Sequence, residues 1–281
     1  MPGRVVVFSM VQPAVVGLVA LARASGYEPV ALITPRLRED ADEGSRERFH
    51  EIVSGAPAGL DVCVADSKAS LERLTKAYEP RLGLCIGYRW RLPPEVLAIP
   101  ELGVVNGHPS LLPRHRGPYP FAWAVREGDT ELGMTYHLMD EDFDTGPILA
   151  QGSRPMPDEV TFPNLQPLLA SLSLELLPQA LARLEAGDRG DPQTDAGATY
   201  AGPFGEDYQH VDWSRPAAEI HRQVCAWQFL FSQELPGPLA EIDGKTVRLV
   251  ATSLADPGDG ATRIETGDGP IWVVDSSSSS G

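Results

Sequence analysis

The sequence predicts an α/β fold: a Rossmann-like, mostly parallel sheet followed by a small β-rich C-terminal domain. Three observations carry that expectation. The chain opens strand–helix–strand, with Arg4–Ser9 (RVVVFS), an Ala/Leu/Val-rich run Pro13–Ser25 at helical spacing, and Pro29–Thr34 (PVALIT). A β-α-β opening calls for a right-handed crossover and so for a parallel sheet. Short apolar runs without polar alternation recur downstream, as strands covered on both faces do. Beyond about Leu239 short strands replace helical spacing, around a strong Asp243-Gly244 hairpin turn.

The elements follow in order. Gly26 closes the first helix as a C-cap. The turn Ser9–Pro13 holds no glycine, so a dinucleotide fingerprint is absent and the α/β opening does not imply NAD. Pro35–Gly55 is charge-rich and reads as an exposed loop and a surface helix. Asp61–Val64 is a short strand. Ser67 or Ser70 caps a helix over Leu71–Tyr78, which Pro80 ends. Leu82–Ile86 is the next strand and leads into Gly87–Pro94, then a short helix Glu95–Ala98. Gly103–Val105 reads as a strand that ends at a polar cluster, with a loop over His108–Tyr119 and a helix over Pro120–Glu127. Gly133–Met139 alternates as a half-buried strand does, and Pro147–Gln151 returns as another. Asn164–Glu185 is a long amphipathic helix with Pro178 inside it. Gly187–Asp195 is polar and turn-rich, a natural exit from the first domain. Ser214 is the N-cap candidate of a helix with Pro216 in its first turn. Trp213, Trp227, Phe229 and Phe231 read as core of the C-terminal half. The expected division is a main domain over 1–190, a linker over 191–205, a β-rich module over 206–275 and a disordered Ser-rich tail over 276–281.

The chain has 281 residues, 42% of them hydrophobic, an ordinary proportion for a water-soluble globular protein. The apolar runs are too short to span a bilayer, and the N-terminus lacks a signal-peptide pattern, so the expected location is cytoplasmic. The cysteines Cys63, Cys85 and Cys225 are scattered, without the spacing of a zinc site or a disulfide framework. The formal charge is −16, the reverse of a nucleic-acid binder's footprint.

Three polar groups between Gly103 and Gln151 can do chemistry: Asn106, His108 and Asp144. An Asn can donate to a developing oxyanion. A His titrates near neutrality, and a carboxylate can orient it or take a proton. The set suits acyl-type transfer. The chain has no G-x-S-x-G elbow and no H-E-x-x-H, so direct attack by an acceptor is expected, with no covalent enzyme intermediate and no metal. On spacing alone, the same residues also fit a plain structural role as turn formers and loop caps.

The pattern Asn106-x-His108-x-Ser110-Leu111-Leu112-Pro113, then Arg116-Gly117 and Pro120, with Gly128-Asp129, Gly133-Met134-Thr135 and Asp144-Thr145-Gly146-Pro147 downstream, resembles the signature of the folate-dependent formyltransferases. These include methionyl-tRNA formyltransferase and glycinamide ribonucleotide transformylase. Val211–His221 resembles the start of the C-terminal domain of the tRNA-directed members. The resemblance implies 10-formyltetrahydrofolate as formyl donor and a primary amine as acceptor. It gives Asn106 and His108 the oxyanion, and gives Asp144 the task of holding His108 or taking the amine proton, directly or through water. It assigns the donor pocket to Ile86, Gly87, Tyr88, Arg89 and Leu92 and to His137, Met139, Asp140 and Glu141, with Arg89 and Arg91 as candidates to meet the folate glutamate tail. Ser110–Pro113 is expected to be a scaffold turn.

The acidity and the short C-terminal module, where Lys245, Arg248 and Arg263 are scattered among acidic residues, favour a small amine acceptor (an amino sugar, an amino acid or a biosynthetic intermediate). Methionyl-tRNA is the alternative acceptor, water a further one in a formyl-donor hydrolase, and a non-catalytic folate-binding protein the non-enzyme reading. The β-rich module is a candidate homodimer interface.

Overall fold

The computed structural model describes residues 2–88, 90–230 and 237–278. Arg89 and Phe231, both named above, lie outside the described residues. The strands are β1 (Arg4–Ser9), β2 (Glu28–Pro35), β3 (Asp61–Ala65), β4 (Leu82–Ile86), β5 (Val104–His108), β6 (Glu131–Leu138), β7 (Ile148–Pro155), β8 (Leu239–Ile242), β9 (Lys245–Ser253), β10 (Thr262–Glu265) and β11 (Pro270–Ser278). The helices are α1 (Gln12–Ala24), α2 (Glu43–Ser54), α3 (Lys68–Ala77), α4 (Pro94–Leu97), α5 (Pro120–Glu127), α6 (Phe162–Glu185) and α7 (Ala217–Trp227).

The expected α/β architecture is present. A seven-stranded sheet runs in the order β3-β2-β1-β4-β5-β6-β7. β1 to β5 pair in parallel, and β6 is antiparallel to β5. The order reverses between β1 and β4, the switch point where open α/β sheets leave a crevice beyond the strand carboxyl ends. Ser9 closes that end of β1 by donating to the Ile86 carbonyl across to β4. Its hydroxyl also accepts from the Val11 N–H. A side chain thus braces a first turn that has no glycine.

The sheet is covered on both sides, which explains its non-alternating strands. One core packs Val5, Val7, Leu82 and Leu84 with Leu18 and Leu21 of α1 and Leu172, Leu177 and Leu181 of α6. The other packs Val6, Phe8, Ile33 and Cys85 with Leu71 of α3 and Val96 of α4. The helix starts are set by local capping. The Asp42 carboxylate accepts from the Ser45 N–H at α2. Ser67 and Ser70 form a reciprocal capping box at α3, so both serines serve where the sequence offered a choice.

Two compact units divide the chain, and neither is contiguous. One comprises 1–116, 133–154 and 167–199; the other 117–132, 155–166 and 200–281. The boundary differs from a single cut near residue 190 because β6 and α6 each contribute residues to both units. In the second unit a four-stranded antiparallel sheet runs β10-β11-β9-β8. α7 packs on it through Ala217, Ile220 and Val224. Trp227 and Phe229 are buried, as expected, and Trp213 is half-buried. Arg126 lies over the rings of Trp123, at 4.6 Å, and Tyr208, at 4.2 Å.

Two local expectations are corrected. Ser214 does not cap α7; its N–H and hydroxyl both donate to Asp212. Pro216 takes the N-cap position, and the Ala217 N–H is satisfied by the carboxylate of distant Asp268. The tail is not disordered from Ser276. β11 continues through Ser278, paired to Leu249, Arg248 and Val247 of β9, because ladder pairing supplies what a Ser-rich sequence lacks in apolar burial.

Candidate active site

β5 carries two of the three candidate residues, Asn106 and His108. Side chains alternate along a strand, so Asn106 and His108, two residues apart, emerge on one face. β6 sets His137 opposite Asn106 and Thr135 opposite His108. Directly paired residues share a face. Both Asn106 and His108 were expected in a loop after Gly103–Val105, but both lie inside β5. The cause is β6: its antiparallel ladder continues to the His108–Thr135 pair, beyond the last β4 partner at Asn106.

Asp144 enters from the β6–β7 loop with φ 57°, a left-handed conformation that Asp tolerates better than most residues. Its Oδ1 is the hub of the cluster. Asn106 Nδ2 donates to it at 3.2 Å. His108 Nδ1 stands 3.5 Å away and His137 Nε2 3.4 Å away. All three predicted catalytic residues are therefore brought together, and His137 joins them.

The neighbours fix the protons. His108 Nε2 lies 2.8 Å from the His115 carbonyl oxygen, which can only accept, so Nε2 carries a proton. His137 Nδ1 lies 2.9 Å from the Leu138 carbonyl and carries one for the same reason. Its Nε2 then accepts from the Asn106 amide, 3.2 Å away. Neutral His108 turns its Nδ1 lone pair toward the Asp144 carboxylate. Burial holds the His108 pKa below its ordinary value; the Asp144 charge pulls the other way, and the balance is downward. The ring is neutral at neutral pH, and a proton arriving at Nδ1 finds an acceptor already in place.

The residues assigned to the donor pocket divide. Ile86 ends β4 and Gly87 follows it. Gly87 has φ 59°, and a Cβ there would come within 2.6 Å of Val11, so only glycine fits the turn. Tyr88 packs edge-on to Phe8 at 5.8 Å, and its buried hydroxyl has no hydrogen-bond partner among the described residues. Leu92 is buried in the core beside Val96, and half-buried Met139 packs against the same cluster. His137 stands against Asn106 and Asp144. Asp140 organises its own loop, accepting from Thr145 Oγ1 at 2.7 Å and from the Asp142 N–H at 3.2 Å. Glu141 is exposed. Arg91, instead of standing free, pairs with Asp142 at 3.2 Å and lies over the Phe143 ring.

Supporting residues complete the site: Thr135 lies in the quoted signature, whereas nothing in the sequence assigns a role to Gln151 or Gln193. Thr135 Oγ1 donates to the Ser110 carbonyl at 2.7 Å and accepts from Gln151 Nε2 at 2.8 Å, while Gln151 also donates to the Leu112 carbonyl. These bonds hold Ser110–Pro113 as a scaffold turn. Gln193 donates to the carbonyls of Asp144 and Gly146, residues 49 and 47 positions away. Among the described residues, no group of three or more His, Cys, Asp or Glu is placed to hold a metal.

The sequence model of the Formyl transferase family matches residues 29–181. The chain belongs to that family. The methionyl-tRNA formyltransferase of Synechococcus sp. (strain JA-2-3B'a(2-13)) is 41% identical over 169 residues, 60% of this chain and 50% of the relative. The chain thus spans about half the length of that curated relative. The chain resembles, in fold, HypX from Aquifex aeolicus in complex with tetrahydrofolic acid (20% identity, TM-score 0.64, 97% of this chain and 44% of that one). It also resembles the N-formyltransferase from Helicobacter canadensis in complex with folinic acid and dTDP-3-aminofucose (18% identity, TM-score 0.64, 97% and 99%). No helix among the described residues is long and apolar enough to cross a membrane.

Proposed function

We propose that this formyltransferase moves a formyl group from 10-formyltetrahydrofolate to a primary amine by direct attack, with Asn106, His108 and Asp144 as its catalytic residues. The observation that carries the reading is the convergence of the Asn106 amide and the His108 imidazole on one carboxylate oxygen of Asp144, at 3.2 and 3.5 Å. When bound, the donor supplies an activated formyl carbon and a nitrogen leaving group. The crevice at the β1/β4 switch point and the unpartnered Tyr88 hydroxyl suit a flat ring edged with donors and acceptors.

In this reading the amine lone pair attacks the formyl carbon and the carbonyl electrons move to oxygen. Asn106 turns to that oxyanion the amide N–H that Asp144 otherwise accepts, and His108 adds a positive field beside it once its Nδ1 takes up the proton that the amine loses. The proton lost by the amine passes to Asp144, directly or through water. It then returns through the Asp144–His108 pair to the departing nitrogen. His137 keeps the Asn106 amide nitrogen turned into the cluster.

Two acceptor classes remain, each with its own support. Curated relatives at 38–41% identity are methionyl-tRNA formyltransferases, which supports methionyl-tRNA over the small amine that the charge argument favoured. The net charge of −16 still supports a small amine, because a polyanion must approach against that field. Mixing the protein with 10-formyltetrahydrofolate and either methionyl-tRNA or a panel of amino sugars and amino acids, and following tetrahydrofolate release by absorbance, tests both. Release that depends on one acceptor class names it. Release without any acceptor indicates hydrolysis, and no release with any acceptor sinks the transferase reading.

A further inference from the structure

We infer that residues 188–199, the segment after α6, act as a positioning strap for the catalytic carboxylate, with Gln193 as its working residue. The inference rests on the formyl-transfer reading for its kinetic test and on geometry alone for its physical one. Gln193 Nε2 donates to the Asp144 carbonyl at 2.9 Å and to the Gly146 carbonyl at 2.7 Å. Both amide hydrogens therefore pin the loop on either side of Thr145. Asp144 needs this, because its φ of 57° is a conformation that L side chains seldom hold unaided.

Gln193 is itself fixed. Its Oε1 accepts from Arg116 Nη2 at 2.9 Å and from Arg116 Nε at 3.2 Å. Arg116 lies in the loop that follows β5 and its His108, so one glutamine ties that loop to the β6–β7 loop that carries Asp144. The strap is anchored at several points. Arg183 of α6 pairs with Asp188 and Asp191, and Arg189 donates to the Leu102 carbonyl just before β5. The Asp191 N–H donates to the Ile148 carbonyl, and the Ile148 N–H donates back to Asp191. At the far end Thr199 Oγ1 accepts from the His115 N–H at 2.8 Å, and the His115 carbonyl is the partner of His108 Nε2. The strap therefore reaches both His108 and Asp144, and it lies beyond the residues 29–181 that the family model matches.

Gln193 is a positioning residue: it holds the backbone that aims Asp144. The test uses two nearly isosteric variants. Gln193→Met removes every polar contact. Gln193→Glu keeps an acceptor for Arg116 but has no N–H for the two carbonyls. Both should lower kcat by roughly tenfold to a hundredfold, the effect of an ångström-scale misplacement, while the donor KM moves less than about threefold. The second readout is the NMR titration of the His108 ring, which Asp144, His137 and His115 face. It should move to lower pH in both variants, because the carboxylate withdraws while the burial stays. Wild-type behaviour of Gln193→Glu in both readouts would overturn the inference and leave Gln193 as a partner of Arg116 only. A shifted titration in a protein that formylates no acceptor would overturn the functional reading and leave the strap standing. An unshifted titration in an active protein would do the opposite.

Discussion

Replacing Asp144 by Asn is the most informative single perturbation. The change keeps the shape of the side chain and an oxygen for Asn106 Nδ2, and removes one negative charge. That charge sits 3.5 Å from His108 Nδ1, with the two side chains 12% and 6% exposed, so solvent screens it little. At an effective dielectric constant near 20, opposite unit charges at that separation attract by about 5 kcal/mol. An Asn dipole returns part of this; losing even half costs about a hundredfold in rate, at 1.36 kcal/mol per decade. The loss of the proton acceptor acts on the same step, and general-base contributions run to about 10²–10⁴. Asp144→Asn is therefore expected to lower kcat by about 10²–10⁴ in the tetrahydrofolate-release assay, with little change in donor binding. Its thermal midpoint should stay within a few degrees of wild type. The pH limb governed by His108 should move to lower pH, since the neighbouring carboxylate that raises that pKa is gone. A variant that keeps wild-type kcat, or whose pH limb does not move, would refute the assignment of Asp144 as the partner of His108.

Burial lowers the pKa of His108 and of His221, whose ring Arg222 also disfavours as a cation. Folded imidazoles that resist protonation make stability rise with pH, so unfolding midpoints in urea should fall as pH drops below about 6.5 and level off below the folded pKa values; His108→Gln and His221→Gln should each flatten part of that slope. Gly133→Ala places a Cβ 2.5 Å from the Leu111 nitrogen and 2.7 Å from the Ser110 carbonyl carbon. Backbone cannot yield as a side chain does, so urea unfolding should show a loss of about 1–3 kcal/mol or more. Asp268→Ala leaves the first N–H of α7 without its acceptor and should cost about 1 kcal/mol, with Asp268→Asn recovering most of it.

How much of this was legible beforehand depended on the range of the interaction. β1, α1 and β2 announce themselves through a β-branched run, a helical run and a second apolar run, and α5 through the proline at its start and Gly128 past its end. Each of those signals lies within a few residues of the element that it specifies. Asn106 and His108 were legible as chemistry but not as strand residues, because what extends β5 to His108 is a ladder with β6, about 30 residues on. The cap of α7 misled for the same reason: Ser214 is an ideal local cap, yet Asp268, brought in by the β10–β11 turn, supplies the acceptor. Ser276–Ser278 looked like tail because composition cannot reveal that β9 is waiting for a partner.

By itself the sequence determined the α/β class and the parallel pairing implied by its crossovers, since these follow from local periodicity and turn chemistry; residue type made Asn106, His108 and Asp144 candidates, and only the resemblance to the formyltransferases gave them roles. Only the tertiary structure decided the protons. Which nitrogen of His108 is free, that His137 holds the Asn106 amide and that Gln193 braces Asp144 all depend on carbonyls that the fold carries in from elsewhere in the chain. A carbonyl oxygen is present at every residue, so nothing in the sequence distinguishes the few that aim a catalytic group from the many that do not.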